Sequence, residues 1–181
     1  EDGLVSSFFE KLQHSKEFNG QGSFLYLGTK IQQHPKVFDI FEEFFEQNND
    51  FKQVIEVGTS FGGLSMFLKD QCDKINCQFV TFEKHSERKQ NLMSHLEFKK
   101  RNIDMRVADC FNNSPIEEIK NIIKQKGRTL ILCDGGDKVR EFNTFSNFMK
   151  WGDVIMAHDF AKNKEVFDTH IKRSEEHTSE L

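Results

Sequence analysis

The chain is poor in the residues that mark several protein classes. Among 181 residues there are two prolines, four cysteines, one tryptophan, one tyrosine and three alanines. Four cysteines are too few for a disulfide scaffold. Cys72, Cys77, Cys110 and Cys133 lie within or beside apolar runs, so reduced thiols and a cytoplasmic setting are expected. No apolar run approaches the roughly 18 residues of a membrane helix, and no spanning segment is expected. A basic excess is also missing: 25 Lys and Arg against 29 Asp and Glu give a net charge of -4. General nucleic-acid binders show a basic face, so nucleic acid is not an expected partner. Residue 1 is Glu and no charged-then-apolar leader follows, so no signal peptide is read.

What is present is 20 Phe and 36% hydrophobic residues, enough for one buried core. Five short apolar runs stand out: Gln53–Val57, Gln78–Phe82, Asp104–Ala108, Thr129–Cys133 and Asp153–Ala157. Their starts lie 24 to 26 residues apart, and each is read as followed by a turn and a segment of helical spacing. That rhythm predicts an α/β fold: a doubly wound, mostly parallel sheet with both faces covered. Leu64, Phe67 and Leu68 form one helical stripe, Leu92, Met93 and Leu96 a second, and Val139, Phe142, Phe145 and Met149 a fourth. For the third, Ser114-Pro115-Ile116-Glu117 predicts a capping box, Ile116, Ile119, Ile122 and Ile123 the stripe, and Gly127 the end. All four are read as core. Two helices are expected before the sheet, one around Leu4, Val5, Phe8, Phe9 and Leu12, the other from Val37 to Phe45 after Pro35, with a loop over Phe18–Gly28 between them.

The residues from 173 to 181 read Arg-Ser-Glu-Glu-His-Thr-Ser-Glu-Leu, which resembles the in-frame translation of a common sequencing-library adapter. The expected organisation is therefore a helical cap over 1–50, a sheet domain over 51–172 that is incomplete at its C-terminal side, and an artefact over 173–181. A sheet cut short there is expected to leave its fifth strand as an exposed edge.

The sharpest signal is Val54-Ile55-Glu56-Val57-Gly58-Thr59-Ser60-Phe61-Gly62-Gly63, closing one strand and opening a helix. Gly58 is expected to permit a tight turn and close approach of a ligand, and Gly62 and Gly63 to clear the helix N-terminus for it. A P-loop would need Lys after the last Gly, where Leu64 stands, and the dinucleotide fingerprint needs Gly where Ser60 stands. The second strand ends in Glu83, placed to accept both hydroxyls of a ribose. The third ends in Asp109-Cys110, the fourth in Asp134 with Lys138 nearby, and the fifth in His158-Asp159. Asp134, His158 and Asp159 are a candidate divalent-metal set. Carboxylates suit Mg²⁺ or Mn²⁺, and an imidazole shifts the balance towards Mn²⁺, Fe²⁺ or Zn²⁺.

Glu-x-Gly-x-x-x-Gly-Gly resembles motif I of the class I S-adenosylmethionine (SAM)-dependent methyltransferases. The resemblance implies a Rossmann-like fold and a SAM site of Glu56, Gly58, Thr59, Gly62, Gly63, Glu83, Asp109 and Cys110. In such enzymes the acid after strand three approaches the adenine amino group and the next backbone N–H meets the ring. Over residues 24–161, Leu27-Gly28, Gln32-Gln33 and Pro35 ahead of motif I make the chain similar to the cephalosporin hydroxylase / rhamnosyl O-methyltransferase family. Members carry an Asp after strand four and a Glu-Asp pair after strand five that bind Mg²⁺. Asp134 and Asp159 match, and His158 stands where Glu is expected. The expectation is SAM-dependent O-methylation of a small molecule or sugar, assisted by Mg²⁺ or another divalent ion, with His158 or Lys138 as base. An NAD(P)-linked oxidoreductase and a non-catalytic binding module remain alternatives. The oligomeric state is left open.

Overall fold

The computed structural model describes residues 24–33 and 37–157. The helix expected around Leu4–Leu12, His158, Asp159 and the tail lie outside the described residues. A hairpin comes first, β1 (Phe24–Tyr26) and β2 (Thr29–Ile31), then α1 (Val37–Gln47). The βα units follow: β3 (Phe51–Val57), α2 (Gly63–Lys74), β4 (Gln78–Glu83), α3 (Ser86–Ser94), α4 (Leu96–Lys100), β5 (Asp104–Val107), α5 (Asn113–Ile123), β6 (Arg128–Cys133), α6 (Lys138–Ser146) and β7 (Val154–Ala157).

The five sheet strands are parallel in the order β5-β4-β3-β6-β7. The chain runs outward from β3 to one edge, then crosses back to β6, so both strand neighbours of β3 end beside its carboxyl terminus. Burial explains why β3 and β6 hold the centre: Val54, Ile55, Leu130 and Ile131 are all 0% exposed, which requires cover on both faces. Alternate residues divide between two layers. Val54, Phe79, Leu130 and Leu132 pack with α1, α2 and the hairpin, while Ile55, Val80, Phe82 and Ile131 pack with Ile119, Ile122 and Ile123 of α5 and Phe145 of α6. No helix among the described residues is long and apolar enough to cross a membrane.

From Phe24 on, the hairpin corrects the expected loop over Phe18–Gly28, whose residues 18–23 lie outside the described residues. Its turn residues Leu27 and Gly28 both have positive φ, 49° and 80°. A two-residue turn of that hand normally announces itself with Asn-Gly or Asp-Gly, and Leu at the first position hides it. The abundant phenylalanine anchors this hairpin. Phe24 and Tyr26 meet the Phe38 ring of α1 at 5.0 and 5.2 Å, and Phe38 meets Phe67 of α2 at 4.3 Å. The Tyr26 hydroxyl donates to Asp70 at 2.7 Å, and Arg101 grips Asp70 with two bonds of 2.8 and 2.9 Å.

Four further expectations are corrected. The stripe of Leu92, Met93 and Leu96 is not one face of one helix: His95 breaks the segment, Leu92 and Phe98 are buried, and Met93 and Leu96 are exposed. The capping box does not form. Helix α5 starts at Asn113 behind Asn112, so Pro115 is its third residue, where a missing N–H costs no helical bond. Helix α5 ends at Ile123, and Gly127 instead turns the chain into β6 at φ +100°. Met149 likewise lies beyond the end of α6.

Candidate functional site

The carboxyl ends of β3, β4 and β6, with the segment after β5, surround a cleft of about 780 Å³. Open α/β sheets bind ligands at this edge, where strand order reverses. Ten of the sequence-derived candidates border it: Glu56, Gly58, Thr59, Gly62, Gly63, Glu83, Asp109, Cys110, Asp134 and Lys138. His158 and Asp159 lie outside the described residues.

Glu56 borders the cleft and is fully buried. Its Oε2 accepts from the Ser65 hydroxyl of α2 and from the Thr81 hydroxyl of β4 at 2.6 Å. Thr59 lies 2.6 Å from Thr81, so with the Thr81 proton given to Glu56, Thr59 donates in turn. Glu56 Oε1 is buried without a partner. Burial pushes the Glu56 carboxyl up to about 8, against the pull of the two hydroxyls and with help from the charges of Asp134 and Glu83.

The glycines of the loop answer mainly to protein neighbours. At Gly58, φ +100°, a Cβ would stand 2.5 Å from the Asp134 carbonyl oxygen. One at Gly62 would strike Leu92 and Phe98, and one at Gly63 would meet Ile31 and the Lys30 carbonyl of β2. Each of the three is thus required by a close approach within the fold, and all three also border the cleft. Between them, Ser60 and Phe61 border the open cleft, and Phe61 is 47% exposed with the Lys30 ammonium 5.0 Å from its ring centre.

Glu83 closes β4 and is buried. Its Oε2 accepts the Ser60 N–H at 2.9 Å and its Oε1 the His85 N–H at 3.0 Å, so the carboxylate ties the loop after β3 to the turn after β4. Arg88 donates to both oxygens, at 3.2 and 3.3 Å. Across the cleft Asp109 accepts the Phe111 N–H at 3.1 Å and pairs with Lys84 at 3.0 Å, and these two hold its carboxyl below the usual carboxylate range. Burial, with Glu141 nearby, pushes the Cys110 thiol up to about 12, so it is no nucleophile at neutral pH.

After β6, the Asp134 N–H donates to Val57 O at 2.9 Å. Its Oδ2 accepts from Gln33 Nε2 at 3.0 Å, and its Oδ1 lies 3.7 Å from the Lys138 ammonium, which donates to Gly135 O at 2.8 Å. Asp134 thus faces an amide donor on one oxygen and an ammonium on the other. No group of three His, Cys, Asp or Glu suited to a metal occurs among the described residues. The loop beyond is shaped by buried Glu141, which accepts the Gly135 N–H at 3.1 Å and the Asp137 N–H at 3.3 Å. Burial raises the Glu141 carboxyl.

Sequence reasoning missed Gln33, Lys30, Phe61, Arg88 and Glu141 in the lining. Lys30 and Gln33 arrive with the unrecognised hairpin. Arg88 lies five residues after Glu83, in the first turn of α3, and that spacing was the available signal.

No protein-family model and no curated protein matches the chain. Solved structures do. An O-methyltransferase from Bacillus cereus in complex with SAH is 16% identical with TM-score 0.52, over 99% of this chain and 83% of that one. A precorrin-6y C5,15-methyltransferase from Geobacter metallireducens is 15% identical with TM-score 0.53, over 80% and 70%. The cofactor-bound Rv0187 from MTB is 11% identical with TM-score 0.55, over 100% and 79%. At such identities the likeness establishes the fold: a five-stranded parallel sheet with flanking helices, of the Rossmann-like kind that those methyltransferases have.

Proposed function

We propose that the cleft binds SAM and that the protein transfers its methyl group to an oxygen of a small molecule or sugar. The observation that carries this reading is Glu83: a buried carboxylate at the end of β4, in one cleft with the turn after β3 and bonded to that turn through Ser60. A carboxylate there can accept two vicinal hydroxyls. The fold of the solved methyltransferases, one of them an SAH complex, supports the donor's identity. The narrower likeness to the cephalosporin hydroxylase / rhamnosyl O-methyltransferase family rests on sequence motifs alone.

When bound, the sulfonium supplies an electrophilic methyl group. The residues of the chain then have positioning roles. Glu83 would hold the ribose once Arg88 swings aside, Asp109 and the Cys110 N–H would meet the adenine, and Glu56, Gly58 and Thr59 would flank the amino-acid end. Orphaned Glu56 Oε1, on a residue that borders the cleft, fits a ligand that brings a donor there. Lys138 and His158 are the proposed bases for the acceptor hydroxyl, and Asp134, His158 and Asp159 stay the proposed set for any divalent ion. An apolar-walled hydride site would instead suit a nicotinamide, which shares the use of Glu83.

Calorimetric titration of the protein with S-adenosylhomocysteine (SAH) and with NAD, each with and without Mg²⁺, tests the reading. Saturable SAH binding without NAD binding is expected. NAD binding alone would install the oxidoreductase reading, and binding of neither would leave a non-catalytic module.

A further inference from the structure

Gln33 follows β2 and is 5% exposed. Its Nε2 donates to Asp134 Oδ2 at 3.0 Å, which fixes the orientation of the amide. Gln33 Oε1 is thereby committed to the other side, buried and without a partner. Among the described residues one other buried side-chain atom shares that condition, Glu56 Oε1, and both residues border the same cleft. A buried polar atom left unpaired costs about 1–3 kcal/mol, and natural folds leave few of them. Here two belong to residues that border one cleft, brought there by separate elements, the segment after β2 and β3.

The neighbourhood says which donor suits them. Asp134 and Glu83 both press negative charge on Glu56, with Lys138 and Arg88 as their cationic partners. A hydroxyl offers one proton and no charge. A primary ammonium offers three donors and a positive charge.

We propose that Gln33 is a ligand-binding residue: its Oε1 and Glu56 Oε1 each accept a bond from a primary ammonium group, and the pair selects ligands that carry an amino-acid head. The inference rests on the SAM reading above and deepens it, since the ammonium is that of the methionyl end. It gives the hairpin outside the sheet a direct part in recognition.

The test compares SAH with its desamino analogue, in which the amine is replaced by hydrogen and the carboxylate kept, by calorimetry on wild type, Gln33→Met and Gln33→Glu. Wild type is expected to prefer SAH by about tenfold or more, the worth of one or two charge-assisted bonds. Gln33→Met is expected to lose most of that preference by weakening SAH alone. Gln33→Glu keeps an acceptor oxygen but not the donor to Asp134, and is expected to retain the preference. If Gln33→Met weakens both ligands equally, Gln33 acts only by holding Asp134 and the proposal fails. A wild-type preference below about twofold overturns it without recourse to any variant, while SAH binding itself still upholds the SAM reading. Binding of neither ligand overturns both.

Discussion

The backbone of Gly58 lies against the backbone of Asp134, so closely that a Cβ at 58 would stand 2.5 Å from the Asp134 carbonyl oxygen and 2.8 Å from Gly135 Cα. Hydrogen bonds lock the approach: Asp134 N–H donates to Val57 O at 2.9 Å, and Gly58 N–H donates to Phe82 O at 2.8 Å. The ends of β6, β3 and β4 are thus sewn together. The first glycine of the loop is held by this contact between strand ends.

Gly58→Ala should therefore be costly. The new methyl group meets main chain, which cannot rotate away, and the residue holds φ +100°. Strain and overpacking together suggest about 2–5 kcal/mol. A thermal melt should show a fall of many degrees, or no folded protein. A melt within about 2 °C of wild type would mean that the strand ends are not locked as described.

The sheet was legible because its apolar runs are short, evenly spaced and interrupted by helical stripes, and the five strands fall within two residues of their expected starts. The hairpin was not, because its turn carries Leu27 where the usual signal is Asn or Asp. The break at His95 was hidden because Met93 and Leu96 continue a helical spacing on the surface. At the site, strand-end acids were legible as types in places, since topology alone brings strand ends together. What fills them was not. That Glu83 holds Ser60 and His85, and that Gln33 reaches Asp134, depend on tertiary approach over 23 and 101 residues of sequence. The loop glycines were legible as necessary, but the crowding around them was not, since it comes from distant parts of the fold.

Arg88 competes with any hydroxyl for Glu83. Its side chain is 44% exposed while that of Glu83 is 3% exposed, so the pair is weak on one side and fixed on the other. Arg88→Met should change stability by less than about 1 kcal/mol and tighten SAH by up to about fivefold, the worth of one half-exposed ion pair. Glu83→Gln should weaken SAH by about ten- to hundredfold, the loss of charge-assisted bonds to ligand hydroxyls. Calorimetry on both variants separates the roles. If Arg88→Met weakens SAH tenfold, the guanidinium is a ligand contact and not a competitor.

Asp70 is the hub that ties the hairpin to the helices, accepting from Tyr26 at 2.7 Å and from Arg101 twice. Burial, then the bond to Asp70, pushes the Tyr26 hydroxyl well above its ordinary pKa, so tyrosine stays a donor at any working pH. Asp70→Asn replaces a doubly gripped carboxylate and should cost about 1–3 kcal/mol. Because Gln33 is carried by the same hairpin, SAH should also bind more weakly, although Asp70 is not among the residues that border the cleft. Equal melts and equal affinities for variant and wild type would detach the hairpin from the site.

Glu56 makes stability and binding depend on pH with a definite sign. In the folded chain its carboxyl is pushed to about 8, from an ordinary value of 4.5. Between those values the folded protein keeps a proton that the unfolded chain has released, so stability is full below about 4.5 and is lost as pH rises towards 8, by on the order of 1 kcal/mol per pH unit at most. Glu56→Gln removes the titration. The melting difference between variant and wild type should shift in the variant's favour from pH 5 to pH 8, and a difference that stays flat would remove Glu56 as the titrating group. Binding adds a second consequence. Since Glu56 Oε2 already accepts two hydroxyls, its proton resides on the unpartnered Oε1, where a ligand ammonium would displace it. SAH binding at pH 7 should then release a proton, seen as a binding enthalpy that changes with the ionisation enthalpy of the buffer, and Glu56→Gln should abolish that dependence. Proton uptake on binding would place the ammonium elsewhere.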